Sequence, residues 1–225
     1  MQDIPIKDAA TVVLVRDTPV GPAVLMGQRG KKAVFMPNKF VFPGGGLDAD
    51  DAGVPLAGLP AQRCLTRLAT GADTAAAQAL LAAAIREVWE ETGHPLAQMA
   101  RPDEKPTSPT PGWRDFFARG YRPDASGLTY IFRAITPPGR PRRFDARFFM
   151  GRADLIDGDP DDFSRAQDEL AHLQWVPLRE SRKFDLPFIT EVVLAEVQNR
   201  LDHPDDDHPV PFFNHDGDRS RFEQL

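Results

Sequence analysis

Two apolar, β-branched runs stand near the start of the chain, "AATVVLVRD" (9–17) and "GPAVLMGQR" (21–29), with "TPVG" at their junction. Such runs around a turn signal predict a hairpin. A short strand is expected around Lys39–Phe42, followed by a glycine loop, "PGGG", that leaves the strand direction. Pro60 and Gly71 bracket a short helix carrying Cys64, Leu65 and Leu68, with Pro60 at its first position. The segment "DTAAAQALLAAAIREVWEETG" (73–93) is a long helix with Asp73 or Thr74 as N-cap and Gly93 as C-cap. From 95 to 127 prolines and glycines predict loop, with one short helix at "PGWRDFFARG". Residues 128–136 and 144–153 are strand-like, the acidic stretch 157–163 is a loop, and a last strand lies around Leu173–Val176. Ile189, Val192, Val193, Val197 and Leu201 recur at helical spacing, which predicts an amphipathic helix over 186–201. The tail 203–225 is too polar and proline-rich to assign. Strands interleaved with two substantial helices give α/β or α+β, with helices packed on a mixed sheet.

Composition narrows the function classes. A chain of 225 residues fits one large domain, or one domain with a sizeable insertion. Its net charge of −6 argues against a nucleic-acid surface and against an anionic membrane as partner. The single cysteine, Cys64, excludes an internal disulfide and fits a reducing, cytoplasmic compartment. The N-terminal stretch lacks the basic and long apolar regions of a signal peptide. No apolar run approaches the roughly 18 residues that span a bilayer.

Three glutamates crowd the end of the long helix. Successive helical residues turn by about 100°, so Glu87, Glu90 and Glu91 fall within roughly a third of the circumference. Leu81, Ala84, Ile85, Val88 and Trp89 lie towards the opposite side and are free to bury against a sheet. Like charges at this spacing destabilise a helix, and acids near its C-terminus oppose the macrodipole. A cation relieves both, and hard oxygen ligands suit Mg²⁺ or Mn²⁺ rather than zinc. On the helix alone, a metal site and a solvated acidic face stand about even.

"REVWEETG" fits the second half of the Nudix box, Arg-Glu-aliphatic-x-Glu-Glu-x-Gly, at Arg86, Glu87, Val88, Glu90, Glu91 and Gly93. "FPGGGLDADD" resembles the first half, with Gly45 followed by an acid at Asp51. The family has glutamate where Asp51 stands, seven residues before the arginine. Here residues 52–85, 34 positions, intervene. "QRGKKAVFMPNKFVFPGGGLDADD", "ITPPGRPRRFDARFF" and "ELAHLQWVPL" resemble segments of the coenzyme A diphosphatase-like branch, whose box is interrupted in this way and whose animal members are peroxisomal. The resemblance runs through most of residues 9–200.

It implies a single-domain Nudix α/β/α sandwich over residues 1–225, with a central mixed sheet, an insertion at about 52–73 and a tail at about 203–225. It further implies Mg²⁺- or Mn²⁺-dependent hydrolysis of a nucleoside diphosphate linked to another moiety, X. The first substrate reading is coenzyme A or its acyl esters; ADP-ribose or NADH is the second, and a non-catalytic nucleotide-binding domain the third. Carried across by position, Glu87, Glu90, Glu91, Asp51 and Glu169 would be metal ligands. Arg86 would fix the glutamate rotamers, and Glu87 or Glu169 would be the general base. Arg29, the Gly44, Gly45 and Gly46 turn, and Arg142 and Arg143 would contact substrate. Arg29 and the "RPRR" arginines read equally well as surface cations. A small nucleotide is the expected partner, without nucleic acid or membrane, in a chain of a kind that is often a homodimer. The insertion is expected to cap one end of the cleft.

Other candidates read more simply. His172, a rival base, fits a locally hydrogen-bonded histidine near a strand start. "DGDPDDFSRAQD" lacks the glycine and glutamate of a calcium loop. His203, His208 and His215 fit a mobile solvated tail, and Cys64 a small hydrophobe. Phe144, Phe148 and Phe149 fit core positions better than a base-stacking platform.

Overall fold

Alternation along the strands explains how one sheet builds two cores. In strand β1 (Ile6–Thr18), Ala10, Val12 and Leu14 project to one face and Val13 and Val15 to the other, all fully buried. The computed structural model describes residues 4–70, 74–104, 110–204, 207–216 and 219–225. The remaining strands of the main sheet are β2 (Gly21–Arg29), β3 (Phe40–Val41), β4 (Gly44–Gly46), β7 (Thr129–Ile135), β8 (Arg143–Arg152), β9 (Leu170–Pro177), β10 (Pro211–Asp216) and β11 (Arg219–Gln224). Their order is β11-β10-β7-β8-β1-β2-β3, with β4 also paired to β1 and β9 to β2. β1–β8 and β10–β7 are parallel and the other pairs antiparallel, so the sheet is mixed, as expected. The predicted hairpin closes at Thr18, whose hydroxyl donates to the carbonyl of Gly21 at 2.6 Å.

Helix α2 (Thr74–Thr92) lies on the first face and α4 (Phe188–Asp202) on the second, giving the α/β/α sandwich. The α2 helix is not amphipathic in the expected sense: every residue from Ala79 to Trp89 is buried. A helix enclosed all round needs cover on the side away from the sheet. Helix α1 (Gln62–Leu68) and helix α3 (Pro111–Ala118) supply it, and run-on alanines at 82–84 permit close approach. Trp89 accordingly meets Phe116 and Tyr121, edge to face at 5.6 and 5.9 Å, rather than the sheet.

Several expectations need correction. The glycine segment is strand β4, hydrogen-bonded along Ala9–Thr11 of β1, because β1 extends past β2 and leaves its edge free there. Pro60 precedes the short helix, whose N-cap is Ala61; Gly71 and Asp73 lie outside the described residues. The stretch 95–127 contains α3 but also a small ladder of β5 (Ala97–Met99) and β6 (Tyr121–Pro123). The insertion contributes to the core. Cys64 and Leu68 are in the α2 core, and the Tyr130 amide donates to Cys64 Sγ at 3.2 Å. The tail forms sheet over β10 and β11: β10 docks beside β7, and ahead of it His208 and His203 are tied by a 2.7 Å contact between a ring nitrogen and a carbonyl. Phe148 and Phe149 fall in the two cores as expected, and Phe144 packs on Phe35 at 5.4 Å.

Candidate active site

The end of α2 meets β4 at a separation that only glycine allows. A methyl group at Gly45 would stand 2.4 Å from Glu87 Oε1, so the carboxylate lies directly on the glycine backbone. Next to it the Gly44 amide donates to Glu91 Oε2 at 2.8 Å. Glycines here serve approach to the acids, with the strand pairing of β4 fixing their position.

Arg86 is the hub. Its Nη1 donates to Glu87 Oε1 at 2.9 Å and to Glu90 Oε2 at 3.0 Å, and Nη2 donates to the Gly46 carbonyl at 3.0 Å. Nε and Nη2 also grip Asp51 at 2.9 and 3.0 Å, a bidentate fork. Burial alone would lower its pKa, but the bond to Asp51 and the surrounding carboxylates hold it above the ordinary arginine value. It therefore stays a cation.

Asp51 differs from its expected part. It ends a single 3-10 turn, Ala49–Asp51, and is 1% exposed. Besides the Arg86 fork it accepts from Trp113 Nε1 at 3.1 Å and from the Asp48 amide at 2.9 Å. A carboxylate has about four lone-pair sites, and these donors use them. The aspartate, a methylene shorter than glutamate, expected as a metal ligand, is here bonded to Arg86 and anchors it.

Burial opposes the charge of the helix acids that remain. Burial, and next the Glu87 charge, push Glu91 well above the carboxylate range. Burial pushes Glu87 up to about 7, against the pull of Arg86, and raises Glu90 as well. Glu169 adds to all three shifts, which places its charge beside them. It arrives there by register: Arg29 pairs with Leu170 across β2 and β9, and Arg29 Nη2 donates to Glu169 Oε1 at 3.1 Å. Five carboxylates thus face two guanidiniums, and the donor set is entirely hard oxygen, which fits Mg²⁺ or Mn²⁺. Among the described residues no three acids converge closely enough to cage an ion by themselves. That is compatible with Mg²⁺, which keeps several waters and takes few protein ligands.

Arg29 and the three glycines are brought to this cluster. Arg142 and Arg143 are not: Arg143 Nε donates to the Thr136 carbonyl at 3.0 Å, and among the described residues neither contacts the acids. His172 is exposed with φ +52 where the β2–β9 register shifts, so its local conformation reflects a bulge. Trp113 was missed; the predicted α3 helix contained it, but nothing in the pattern aimed its indole at Asp51.

No protein-family model matches the chain, and no curated protein does. Among solved structures, a NUDIX hydrolase from Alicyclobacillus acidocaldarius is 30% identical, with 85% of this chain and 90% of that chain covered and a TM-score of 0.64. The chain belongs to the Nudix hydrolase family. A MutT protein from Methanosarcina mazei Go1 shares the fold at 14% identity and a TM-score of 0.50, covering 90% of this chain and 99% of that one. Among the described residues of this Nudix hydrolase, no helix is long and apolar enough to cross a membrane.

Proposed function

We propose that this Nudix hydrolase cleaves the pyrophosphate bond of a nucleoside diphosphate linked to X in the presence of Mg²⁺ or Mn²⁺. The observation that carries the reading is the end of α2, where Glu87 and Glu90 are held by Arg86 and Glu91 by the Gly44 amide, with Glu169 adding its charge. Coenzyme A or an acyl ester is the favoured substrate, released as 3′,5′-ADP and 4′-phosphopantetheine. The interrupted box and the resemblance of the segments around Arg29, Phe144 and Trp175 support that choice. ADP-ribose and NADH are the competing substrates. The intact glutamates argue against a domain that binds nucleotides without turnover. We take residues 1–225 as one catalytic domain, a homodimer by family habit.

Glu87, Glu90, Glu91 and Glu169 would hold the cations. A bound dication masks the diphosphate charge and polarises the attacking water. The chain's own groups do the positioning. Arg86, clamped by Asp51, fixes the rotamers of Glu87 and Glu90, and the Gly44 amide fixes Glu91. Arg29 lies where it can meet a phosphate oxygen once Glu169 is engaged elsewhere. Glu87 or Glu169 takes a proton from the water as its oxygen bonds to phosphorus. The P–O bond to the leaving phosphate then breaks, and that phosphate departs with the electron pair.

Purified protein is assayed with Mg²⁺ on coenzyme A, ADP-ribose, NADH and Ap4A, and phosphate-bearing products are resolved. Coenzyme A is expected to turn over fastest. Turnover of none would sink the enzymatic reading. Glu90→Gln should remove most activity with little change in thermal stability, and a wild-type rate would overturn the metal-site assignment.

A further inference from the structure

A cleft of about 330 Å³ opens directly off Glu90, between α3 and the segment before Glu169. One wall is the first turn of α3, where a methyl group at Gly112 would stand 3.1 Å from Glu90 Oε1. The facing wall is the segment before Glu169, held by the Gln167 amide donating to the Glu90 carbonyl at 2.9 Å. Trp89 forms the floor but is only 7% exposed, and the surface presented is mainly polar. An acyl chain would find little apolar surface here. A small, charged group would.

Two cations stand at the opening. Arg119 lies 5.7 Å from the Trp89 ring centroid and donates to Asp115 at 3.0 Å, but both partners are exposed, so the pair holds it weakly. Arg165 lines the other side, where the charge beside it is that of the exposed Asp162. Planar guanidiniums are matched to phosphate oxygens, and two of them held only by exposed carboxylates at the mouth of a cleft can turn to an anion. The volume is at the lower end of ligand pockets.

We propose that this α2–α3 cleft is a specificity pocket for a phosphomonoester carried by the nucleoside end of the substrate, with Arg165 and Arg119 as its contacts. The inference rests on the diphosphate-hydrolase reading and deepens it: a substrate with a third phosphate is favoured over one with the diphosphate alone. No bond changes in the pocket; it only orients.

Binding separates this pocket from catalysis. Calorimetric titration without metal compares 3′,5′-ADP with 5′-AMP, which differ by the one phosphomonoester. Wild-type protein is expected to bind 3′,5′-ADP at least tenfold more tightly, and Arg119→Gln/Arg165→Gln should shrink that gap to about twofold. Equal affinities in the wild type, or an undiminished gap in the double variant, would overturn the proposal. The parallel kinetic test compares KM for coenzyme A and dephospho-coenzyme A in wild type and double variant. A gap that closes in binding while no diphosphate is hydrolysed would keep the pocket and discard the enzymatic reading. Brisk turnover with no gap would do the reverse.

Discussion

The three glycines of β4 should respond to the same one-carbon change in three ways. At Gly45 a methyl group first meets the end of Glu87: Oε1 at 2.4 Å, Cδ at 2.5 Å and Oε2 at 2.6 Å. Ordinary contact needs about 3.4 Å. The carboxylate must therefore retreat by roughly an ångström, because β4 is pinned to β1. A flexible side chain can make that move, so overpacking should cost no more than about 1–2 kcal/mol of stability. The consequence for rate is larger, since a 1 Å misplacement of a positioned group costs on the order of 10²-fold. At Gly44 the methyl group would meet backbone, Ala10 O and Thr11 Cα both at 2.6 Å, so strand pairing itself must yield and the protein should unfold well below the wild-type temperature. At Gly46 the nearest atom is Asp8 O at 4.0 Å, and Gly46→Ala should be close to neutral. Thermal unfolding and steady-state kinetics with Mg²⁺ on each alanine variant read the series. A Gly45→Ala protein with wild-type kcat would refute the claim that Glu87 lies against that backbone in the working enzyme.

Asp51→Asn keeps the shape of the Arg86 anchor but turns a charged fork into a neutral one, and should lower stability by about 2–4 kcal/mol by leaving a buried guanidinium underpaired; denaturant unfolding measures it, and an unchanged midpoint contradicts the anchoring role. Glu87 titrates near 7 in the folded chain against an ordinary 4.5, so the metal-free protein binds the extra proton and is favoured below pH 4.5. That advantage is lost as pH rises towards 7, by roughly 3 kcal/mol at most. The rise in Tm on adding Mg²⁺ should accordingly be larger at pH 7.5 than at pH 5, and equal shifts would contradict this. Leu68→Ala should cost about 2–5 kcal/mol because the insertion helix is part of the core, whereas a stability change below 1 kcal/mol would return the insertion to the surface.

What the sequence made legible follows from how local each cause is. The placing of Glu87, Glu90 and Glu91 on one face is set by helix geometry alone and so was readable, as was Arg86 within reach of Glu90 one turn away; its bond to the adjacent Glu87 was not. Glu169 follows from strand register once β9 is recognised, because Leu170 pairs with Arg29 across β2 and β9. The anchoring bonds of Asp51 were not legible, since its direction depends on Trp113 and Asp48, contacts that no periodicity encodes. Glycine disfavours strands, so "GGG" reads as loop; the free edge of β1 decides otherwise. The tail hid β10 and β11 for a related reason: "RSRFEQ" is exposed along its whole length and carries no hydrophobic alternation. Arg142 and Arg143 form a basic run on paper, yet the β7–β8 connection keeps them off the acids.

Binding of Mn²⁺ followed by electron paramagnetic resonance tests the central claim most directly, because free and bound ion are counted without any substrate. Wild-type protein should bind Mn²⁺ at pH 7.5, with competition by Mg²⁺, and Glu87→Gln and Glu91→Gln should each weaken it at least tenfold while the fold melts normally. Variants that retain wild-type affinity, or a wild-type protein that binds no Mn²⁺ even with a diphosphate present, would contradict the assignment of these carboxylates as the metal centre.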